Sequence, residues 1–489
     1  MRRPVIAVLG SGGVGAAALP VWSPGIGWPI AAVAVATAAV LAGRPGGTEQ
    51  GPAAGDRVWR WFTVAAAIAL VGVAAVRAAG WLVALCVPVA LALASSGLAG
   101  GRGWLGLVRG AVELPAAALR GMSAVRAPMS APGTGPGRGP AAVRLAVATT
   151  VGTFLVVVFG ALFWAADTAF ADLLTRWFVH ISFADVMRAL LGFALLAAIA
   201  VGVLRARPGS ESAESTEDRG RRLAAPEWAV PIAMLDVLFG VFVSVQPTTL
   251  FGGERYVLGP GGPDYAVYAK GGFGQLMTVT VLTLAVLAAL AVWARRETRA
   301  QRALLRVLAG VLCLLTLVIV ASALTRMGLY ARVYGFTVAR LLAYLAEAWL
   351  GTVFALMLVV GVRLRAHWLP RATVATGVAL LLALAAINPE ALMARTVLAR
   401  WGTGYPVDLV YVSGLSADAV EELDRLPEPS RSCALTRLVR DLDRPQPWYA
   451  WNLARHRARQ LLARRPVTPR PECVHLDTSG YAVTLRSPT

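Results

Sequence analysis

The stretch Phe273–Trp293 reads FGQLMTVTVLTLAVLAALAVW and contains no charged side chain. Its 21 residues, at about 1.5 Å of rise per residue, form a helix long enough to cross a hydrocarbon core of about 30 Å. A soluble protein has one buried core and rarely needs such a segment. This stretch therefore predicts a transmembrane helix, and comparable stretches recur along most of the chain.

Composition supports a membrane protein. Hydrophobic residues make up 57% of the 489 residues and charged residues only 15%, whereas soluble domains are about a quarter charged. Mean hydropathy is +0.63. The net charge of +19 does not indicate nucleic-acid binding, because the basic residues fall in clusters between apolar runs. Lys270 is the single lysine, which is typical of coding bias in a GC-rich bacterium.

We predict an all-α polytopic membrane protein with about eleven transmembrane helices. The first two runs are short and interrupted by Gly and Pro, so a tight hairpin and a poorly inserted pair are alternatives. A cleaved signal peptide is a third alternative for the first run. The predicted spans are Val5–Val21, Ile26–Ala42, Trp59–Val76, Trp81–Gly97, Leu145–Ala166, Met187–Leu204, Ala229–Leu250, Phe273–Trp293, Leu304–Leu324, Val338–Val362 and Trp368–Ile387.

The placement of arginine predicts the orientation. With a cytoplasmic N-terminus, the cytoplasmic segments hold 21 Lys and Arg residues and the short outer segments hold 6. Cytoplasmic loops of membrane proteins are enriched in these residues. We therefore expect a multi-pass protein of the bacterial inner membrane, with an extracytoplasmic C-terminal region.

The chain is expected to divide into four parts. These are an N-terminal transmembrane half (residues 1–204), a polar cytoplasmic linker (205–228), a C-terminal transmembrane half (229–387) and an extracytoplasmic domain (388–489).

The extracytoplasmic domain has the composition of a soluble protein and is expected to be small and α+β. Ser416 is a predicted helix N-cap, and a helix is predicted over Trp448–Arg465. A hairpin is predicted around Asp477–Gly480. Since the extracytoplasmic space permits disulfides, Cys433 and Cys473 are a candidate pair.

Catalytic, metal and cofactor motifs do not emerge from the sequence. Gly10–Gly15 matches the dinucleotide pattern G-x-G-x-x-G, but the first acidic residue, Glu49, comes too late, so close helix packing explains the glycines better. The four histidines are not spaced as metal ligands. We expect no cofactor, no metal and no catalytic residue.

Polar residues inside the predicted spans form the first candidate site. A charge in mid-span costs about 2.5–3.5 kcal/mol, so it needs a partner or a wet cavity. A structural contact between helices, a solute or proton path and a signalling contact are the alternatives. The candidate residues are Asp236, Gln246, Arg340, Tyr344 and Glu347.

Cations and aromatic residues at the outer ends of the spans form the second candidate site. An interfacial aromatic belt is one interpretation, and a site for an anionic lipid or another envelope ligand is the other. The candidate residues are Tyr265, Tyr268, Lys270, Arg326, Tyr330 and Tyr334.

Several blocks resemble bacterial membrane proteins of the family named domain of unknown function 4173. Lys270 and Gln275 replace an arginine and an acidic residue of that family's pattern. The resemblance covers roughly Leu145–Leu426 and implies the membrane topology without implying an activity. The matching blocks are Leu235–Phe239, Gln246 with Leu250–Gly253, Tyr265–Leu276, Arg326-Met327 with Tyr330, Tyr334–Thr337 with Arg340, Asn388–Ala391 with Ala394-Arg395, Asp408 with Tyr411, Leu415–Ala419 and, more weakly, Ala165–Phe170.

Three functions are compatible with these features. The first, which we favour, is a non-enzymatic sensing, regulatory or envelope-associated membrane protein. The second is a transporter or channel that uses Asp236 and Glu347. The third is an envelope enzyme acting on a lipid-linked anionic substrate, with Lys270, Arg326 and Arg340 as phosphate-binding cations. The predicted partner common to all three is the lipid bilayer, and nucleic acid is not an expected partner.

Overall fold

The computed structural model describes residues 25–41, 54–99, 141–177, 223–250, 265–294, 296–363, 368–399 and 409–468. Within these ranges the chain forms fifteen α-helices and two short 3-10 helices, Ala417–Ala419 and Trp448–Ala450. The α-helices are α1 (Gly27–Leu41), α2 (Ala54–Val76), α3 (Gly80–Ala99), α4 (Ala141–Ala166), α5 (Thr168–Trp177), α6 (Ala225–Leu250), α7 (Tyr265–Trp293), α8 (Arg299–Tyr334), α9 (Val338–Arg363), α10 (Leu369–Ile387), α11 (Pro389–Leu398), α12 (Leu409–Ser413), α13 (Val420–Leu423), α14 (Ser430–Asp443) and α15 (Leu453–Arg464).

The chain folds as two compact units. One unit, here called the terminal unit, combines residues 1–127 with residues 370–489, and the other, the central unit, is formed by residues 128–369. The terminal unit thus joins segments from the two ends of the sequence. The predicted four-part division stays a prediction.

In the terminal unit, α2 and α3 are joined by the short turn Arg77–Ala79 and pack against each other. After α10, the chain forms a helical domain of α11–α15, in which α12 packs on α14 and α11 packs on α13. Helix α15 also contacts α2. Asn388 separates α10 from α11 and adopts a positive φ of 58°, a conformation that asparagine tolerates better than most residues.

In the central unit, α4, α6, α7, α8 and α9 pack together, and the 36-residue helix α8 contacts α6, α7 and α9. The core contains a cluster of phenylalanines. The ring of Phe163 stacks on that of Phe242 with 4.0 Å between centroids, and Phe170 meets Phe242 edge to face. Such aromatic pairs add about 0.5–1.5 kcal/mol beyond the burial of their area.

Seven described helices are long and apolar enough to cross a membrane. In each, only 22–39% of the most apolar window is buried within the structure, so most of its apolar surface faces outward. Lipid is the environment that such surface requires. The candidate spans are Arg57–Val76, Val147–Ala166, Ala225–Gln246, Gly272–Trp293, Arg299–Ala331, Val338–Gly361 and Leu369–Ile387.

These seven helices match seven of the eleven predicted spans, so the count of eleven is not confirmed. Helix α1 has 15 residues, and the apolar segment of α3 is Gly80–Ala94; both are shorter than the roughly 20 residues that a perpendicular crossing needs. The predicted spans Val5–Val21 and Met187–Leu204 lie outside the described residues.

The described part of the C-terminal domain is helical, so the predicted α+β class is not confirmed. Residues 473–485, where a hairpin is predicted, lie outside the described ranges. The predicted helix Trp448–Arg465 is interrupted, because Asn452 has extended backbone angles and its side chain caps the first turn of α15 by accepting the amide of Arg455. Ser416 is an N-cap as predicted, but it caps the short 3-10 helix Ala417–Ala419.

One backbone hydrogen bond in each unit involves the end of a predicted span. In the terminal unit, the amide of Ile26, the first residue of a predicted span, donates to the carbonyl oxygen of Trp451 in the C-terminal domain at 2.8 Å. In the central unit, the amide of Leu223, in the predicted linker, donates to the carbonyl oxygen of Trp293, the last residue of a predicted span, at 2.7 Å. The orientation of the loops stays a prediction.

Candidate functional site

A group of polar side chains is buried where the helical domain meets the turn between α2 and α3. We call Arg77, Glu390, Ser416, Asp418 and Asn452 the Asp418 network. Glu390, Asp418 and Asn452 are 4%, 6% and 1% exposed. Buried polar groups of this kind must be hydrogen-bonded to avoid a large desolvation cost.

Asp418 binds the N-terminal end of α3. Its Oδ2 atom accepts the backbone amides of Ala78 at 2.6 Å and Ala79 at 2.8 Å. The first amides of a helix have no partner within the helix, and the helix dipole favours a negative charge there. Asp418 therefore caps an apolar helix from a position more than 300 residues away in the sequence.

Arg77 binds the opposite kind of helix end. Its Nε and Nη2 atoms donate to the carbonyl oxygens of Ala385 at 2.6 Å and Ala386 at 3.0 Å, at the C-terminal end of α10. A cation is favourable at this end of a helix. Arg77 also lies 3.6 Å from the Asp418 carboxylate, so the two charges compensate each other.

Asn452 and Glu390 complete the network. The side-chain amide of Asn452 donates to the carbonyl oxygens of Ala74 and Arg77, both at 2.8 Å, at the C-terminal end of α2. Glu390 accepts the backbone amide of Ser416 at 2.6 Å and the indole N–H of Trp81 at 3.0 Å. The ends of α2, α3 and α10 are thus all capped by this one network.

Burial shifts the titration of the two buried carboxylates. Burial raises the pKa of Asp418, although the amide of Ala79 and the charge of Arg77 act in the opposite direction. Burial likewise raises the pKa of Glu390, against the hydrogen bonds from Ser416 and Trp81. Protonation is therefore easier at these two groups than at an exposed carboxylate.

The central unit contains a second buried polar cluster, at the predicted outer ends of its helices. Arg326 on α8 forms an ion pair with Asp167, which directly follows α4, and both side chains are at most 3% exposed. Arg326 also donates to the carbonyl oxygen of Ala166 at 2.9 Å. Gly272 packs closely here, since a Cβ atom at that position would lie 2.8 Å from the Arg326 Nη1 atom.

Other candidate residues line up along the same helix. Ser322, Arg326 and Tyr330 are spaced four residues apart and so share one face of α8. Ser322 donates to the Oε1 atom of Gln246 at 2.7 Å, and Arg340 donates to the Tyr330 hydroxyl at 3.2 Å. Arg340 also donates to the carbonyl oxygen of Gly335 at 2.9 Å. These contacts link α6, α8 and α9 through polar side chains.

The carboxylates of Asp236 and Glu347, inside predicted spans, are separate from these contacts of α8. Glu347 is fully buried and its Oε1 atom accepts the Thr280 hydroxyl at 2.8 Å, while its Oε2 atom has no hydrogen-bond partner among the described residues. Both carboxylate oxygens of Asp236 are buried and likewise lack a partner in the described structure. Tyr344 is half-buried against the apolar core.

The structure brings together only part of the predicted outer cluster. Arg326 and Tyr330 lie side by side on α8, and the guanidinium of Arg340 lies 4.5 Å above the Tyr330 ring. Tyr265, Tyr268, Lys270 and Tyr334 lie in helices, but their side chains are outside the described part of the structure. The anion-binding role of this cluster stays a prediction.

The four cysteines differ in their surroundings. Cys433 is disulfide-bonded, and it lies on α14, whereas Cys473 is outside the described residues. The pairing of Cys433 with Cys473 stays a prediction. Cys86 and Cys313 are buried free thiols. Within the described ranges, His, Cys, Asp and Glu do not gather in groups of three that could hold a metal ion.

Several contacting residues were not selected from the sequence. Asp167 had a local signal, because Asp-Thr-Ala-Phe directly after an apolar run is a helix N-cap pattern; its Oδ1 atom accepts the amides of Ala169 and Phe170. Arg77 and Asn452 had no such signal, since their partners are remote in the sequence. Asp418 and Glu390 lay in blocks of the family resemblance.

Comparison with known proteins identifies the family and not the role. No curated protein and no solved structure matches the chain. The family model described as Domain of unknown function (DUF4153) matches residues 64–426. This match supports a family defined by a domain of unknown function, although it does not support the specific name, domain of unknown function 4173, that the sequence resemblance indicated. Because the matched residues include most of the chain, the protein belongs to the DUF4153 family.

Proposed function

We propose that the protein is a non-enzymatic sensing or regulatory protein of the bacterial cell envelope. In this proposal, the C-terminal domain receives a signal and passes it to the membrane helices. The observation that carries the proposal is the binding of Asp418 to the amides of Ala78 and Ala79. A rearrangement of the helical domain would move that carboxylate and release one end of α3.

The proposal places the protein in the cytoplasmic membrane, with the N-terminus inside and residues 388–489 outside. The excess of arginine in the predicted cytoplasmic segments supports this orientation. A membrane-impermeant thiol reagent applied to intact cells tests it at Cys433 and Cys473 after reduction. Labelling of either cysteine is expected, and protection of both, together with activity of a cytosolic reporter fused at Thr489, would contradict the orientation.

Growth under envelope stress tests the sensing role. Cells that carry Asp418→Ala or a deletion of residues 388–489 should lose tolerance to the stress. Cells with the control Glu421→Ala should keep it, because Glu421 is exposed on the same short helical segment. Equal growth of the Asp418→Ala and Glu421→Ala strains at equal protein level would contradict the proposal.

A transporter or channel is the second candidate. In its favour, both carboxylate oxygens of Asp236 and the Oε2 atom of Glu347 are buried and have no hydrogen-bond partner among the described residues. Intramembrane carboxylates of this kind mark ion and proton paths in many transporters. Proton or solute flux into proteoliposomes that is lost in both Asp236→Asn and Glu347→Gln would favour this candidate over sensing.

The enzymatic alternative has less support. It assigns Arg326 and Arg340 to binding a phosphate of a lipid-linked substrate. Arg326 instead pairs with Asp167, and Arg340 donates to Gly335 and Tyr330. A substrate would have to displace these contacts, and separating the two charges of a buried ion pair is costly.

A further inference from the structure

A cavity in the terminal unit lies directly beside the Asp418 network. Its walls come from the segment Ser413–Ala417, from α14 and from the residues that precede and begin α15, and its volume is about 280 Å³. Small-molecule sites begin at about 300 Å³. The cavity therefore has room for a ligand of few atoms.

The walls carry an excess of positive charge. Arg437 and Arg455 line the cavity together with one acidic residue, Asp441. Asp441 already lies 3.5 Å from Arg444, so its charge is partly compensated outside the cavity. Arg437 forms no hydrogen bond or ion pair with any described residue. An anion is the ligand that this balance of charges favours.

The surroundings of Arg455 disfavour the charge of its guanidinium, and a bound anion would stabilise that charge. Its Nη2 atom donates to the carbonyl oxygen of Ala450 at 2.8 Å, which fixes the guanidinium at the wall. Burial, followed by the neighbouring charge of Arg459, lowers the pKa of Arg455, and the charge of Asp418 opposes this only in part. A bound oxyanion would compensate the desolvation and the repulsion between these cations.

One residue of the cavity wall carries a hydrogen-bond acceptor that lacks a partner. The Oε1 atom of Gln446 is buried and has no hydrogen-bond partner in the described structure, although Gln446 lines the cavity. A buried carbonyl oxygen without a partner costs about 1–3 kcal/mol. A ligand that carries a hydroxyl or amino donor would supply the missing hydrogen bond.

We propose that this cavity binds a small oxyanion that also carries a hydrogen-bond donor. Arg437 and Arg455 hold the oxyanion, and the Gln446 carbonyl oxygen accepts the donor. A phosphate next to a glycerol hydroxyl has this chemistry, and it occurs both in soluble organic phosphates and in the headgroup of phosphatidylglycerol. The ligand would contact Ala78 and Ser416, which both line the cavity. Ser416 belongs to the Asp418 network, and the backbone amide of Ala78 donates to Asp418.

This inference rests on the proposed function for its biological meaning, since it names the signal that the domain would sense. The binding step itself does not depend on that function. Ligand binding to the purified protein can therefore be measured separately from the growth of cells under envelope stress.

The test titrates sn-glycerol 3-phosphate into the full-length protein in phosphatidylcholine nanodiscs by calorimetry. Arg437→Gln should weaken binding at least about tenfold, because it removes a charge-assisted hydrogen bond. The matched control Arg440→Gln should bind like the wild type, since Arg440, like Arg437, is exposed on α14 but does not line the cavity. Gln446→Leu should weaken binding of glycerol 3-phosphate but not of sulfate, which has no donor.

Nanodiscs that contain phosphatidylglycerol distinguish the two sources of the ligand. Competition of this lipid with glycerol 3-phosphate supports a headgroup ligand, and unchanged affinity supports a soluble one. Absence of saturable binding, or equal affinity of the Arg437→Gln and Arg440→Gln variants, overturns the proposal. If Arg437→Gln loses binding while cells carrying it tolerate envelope stress normally, the ligand site stands and the sensing function fails.

Discussion

The carboxylate of Asp418 accepts the backbone amide of Ala79 at 2.8 Å, although 339 positions separate the two residues in the sequence. The contact joins a helical domain to the first turn of an apolar helix. Because the carboxylate is 1% exposed, water cannot replace it as the acceptor. The ends of α2, α3 and α10 therefore depend on the folding of the C-terminal domain.

Removal of the Asp418 carboxylate should destabilise the terminal unit. Asp418→Ala leaves the Ala78 and Ala79 amides without their acceptor and Arg77 without its counter-charge, and losing one partner of a buried charged contact costs about 3–5 kcal/mol. We expect a clearly lower midpoint of thermal unfolding in detergent. The control Glu421→Ala should change the midpoint little, and equal midpoints for the two variants would refute the importance of the contact.

Acidification should stabilise the wild type relative to Glu390→Gln. Burial raises the pKa of Glu390 in the folded state, so the folded protein binds this proton more tightly than the unfolded chain. That contribution to stability is complete below the ordinary value of 4.5 and is lost as the pH rises through the raised folded-state pKa. The difference in unfolding midpoint should therefore grow from about pH 8 to about pH 5.

The Glu428→Gln variant should show the opposite pH dependence of the difference in unfolding midpoint. The hydrogen bond from Ser432 is the first cause that lowers the pKa of Glu428, so its contribution to stability is lost as the pH falls. The effect should be small, since the side chain is 45% exposed. A difference between wild type and Glu390→Gln that shrinks on acidification would contradict the assignment.

The ion pair of Asp167 with Arg326 should behave as one unit. Asp167→Ala or Arg326→Ala alone leaves a buried charge without its partner, which costs about 3–5 kcal/mol. The double variant should lose clearly less stability than the two single losses added together. A double-mutant cycle of unfolding free energies measures this coupling, and strict additivity would show that the pair contributes nothing as a pair.

Gly272 and Gly274 form a matched pair of glycines on α7. A methyl group at Gly272 would clash with the carbonyl oxygen of Ala166 and with Arg326, whereas at Gly274 it would meet nothing within 4 Å. Gly272→Ala should lower stability by about 1–3 kcal/mol. Gly274→Ala should be neutral or stabilise by about 0.5–1 kcal/mol. The unfolding midpoints of the two variants test this packing. A Gly272→Ala variant as stable as the wild type would argue against it.

The intramembrane carboxylates should tolerate isosteric neutral replacement if the protein senses rather than transports. Glu347→Gln keeps a carbonyl oxygen that can accept the Thr280 hydroxyl, and Asp236→Asn replaces a carboxyl group that has no hydrogen-bond partner among the described residues. Tolerance to envelope stress should be unchanged in both variants. Loss of tolerance in both, at normal protein levels, would favour the transport alternative.

The sequence was informative wherever a local pattern determines the structure. Seven of the eleven predicted spans, such as Phe273–Trp293, coincide with membrane-length helices, and Ser416 was correctly predicted to be an N-cap. Local patterns failed at Asn452, where the backbone leaves the helix because the side chain binds carbonyl oxygens at the end of α2. Contacts of this kind join remote segments, and a single sequence does not record them.

The candidate site also contains residues that local sequence patterns revealed and residues that they did not. Polar residues inside apolar runs, such as Gln246 and Glu347, were found because their position is costly in a membrane. Their partners Ser322 and Thr280 were not found, because hydroxyl side chains are common in membrane helices and give no signal of their own. Arg77 follows an apolar run without a distinctive pattern, and its role at the end of α10 depends on packing that only the structure shows.

Hydrogen exchange at the backbone amides of Ala78 and Ala79 tests the central claim most directly. In the full-length wild type and in Glu421→Ala, both amides should exchange slowly, because the buried Asp418 carboxylate binds them. In Asp418→Ala, exchange at these two amides should become at least about tenfold faster, which corresponds to about 1.4 kcal/mol of lost protection. Equal exchange rates in all three proteins would show that Asp418 does not hold the end of this helix.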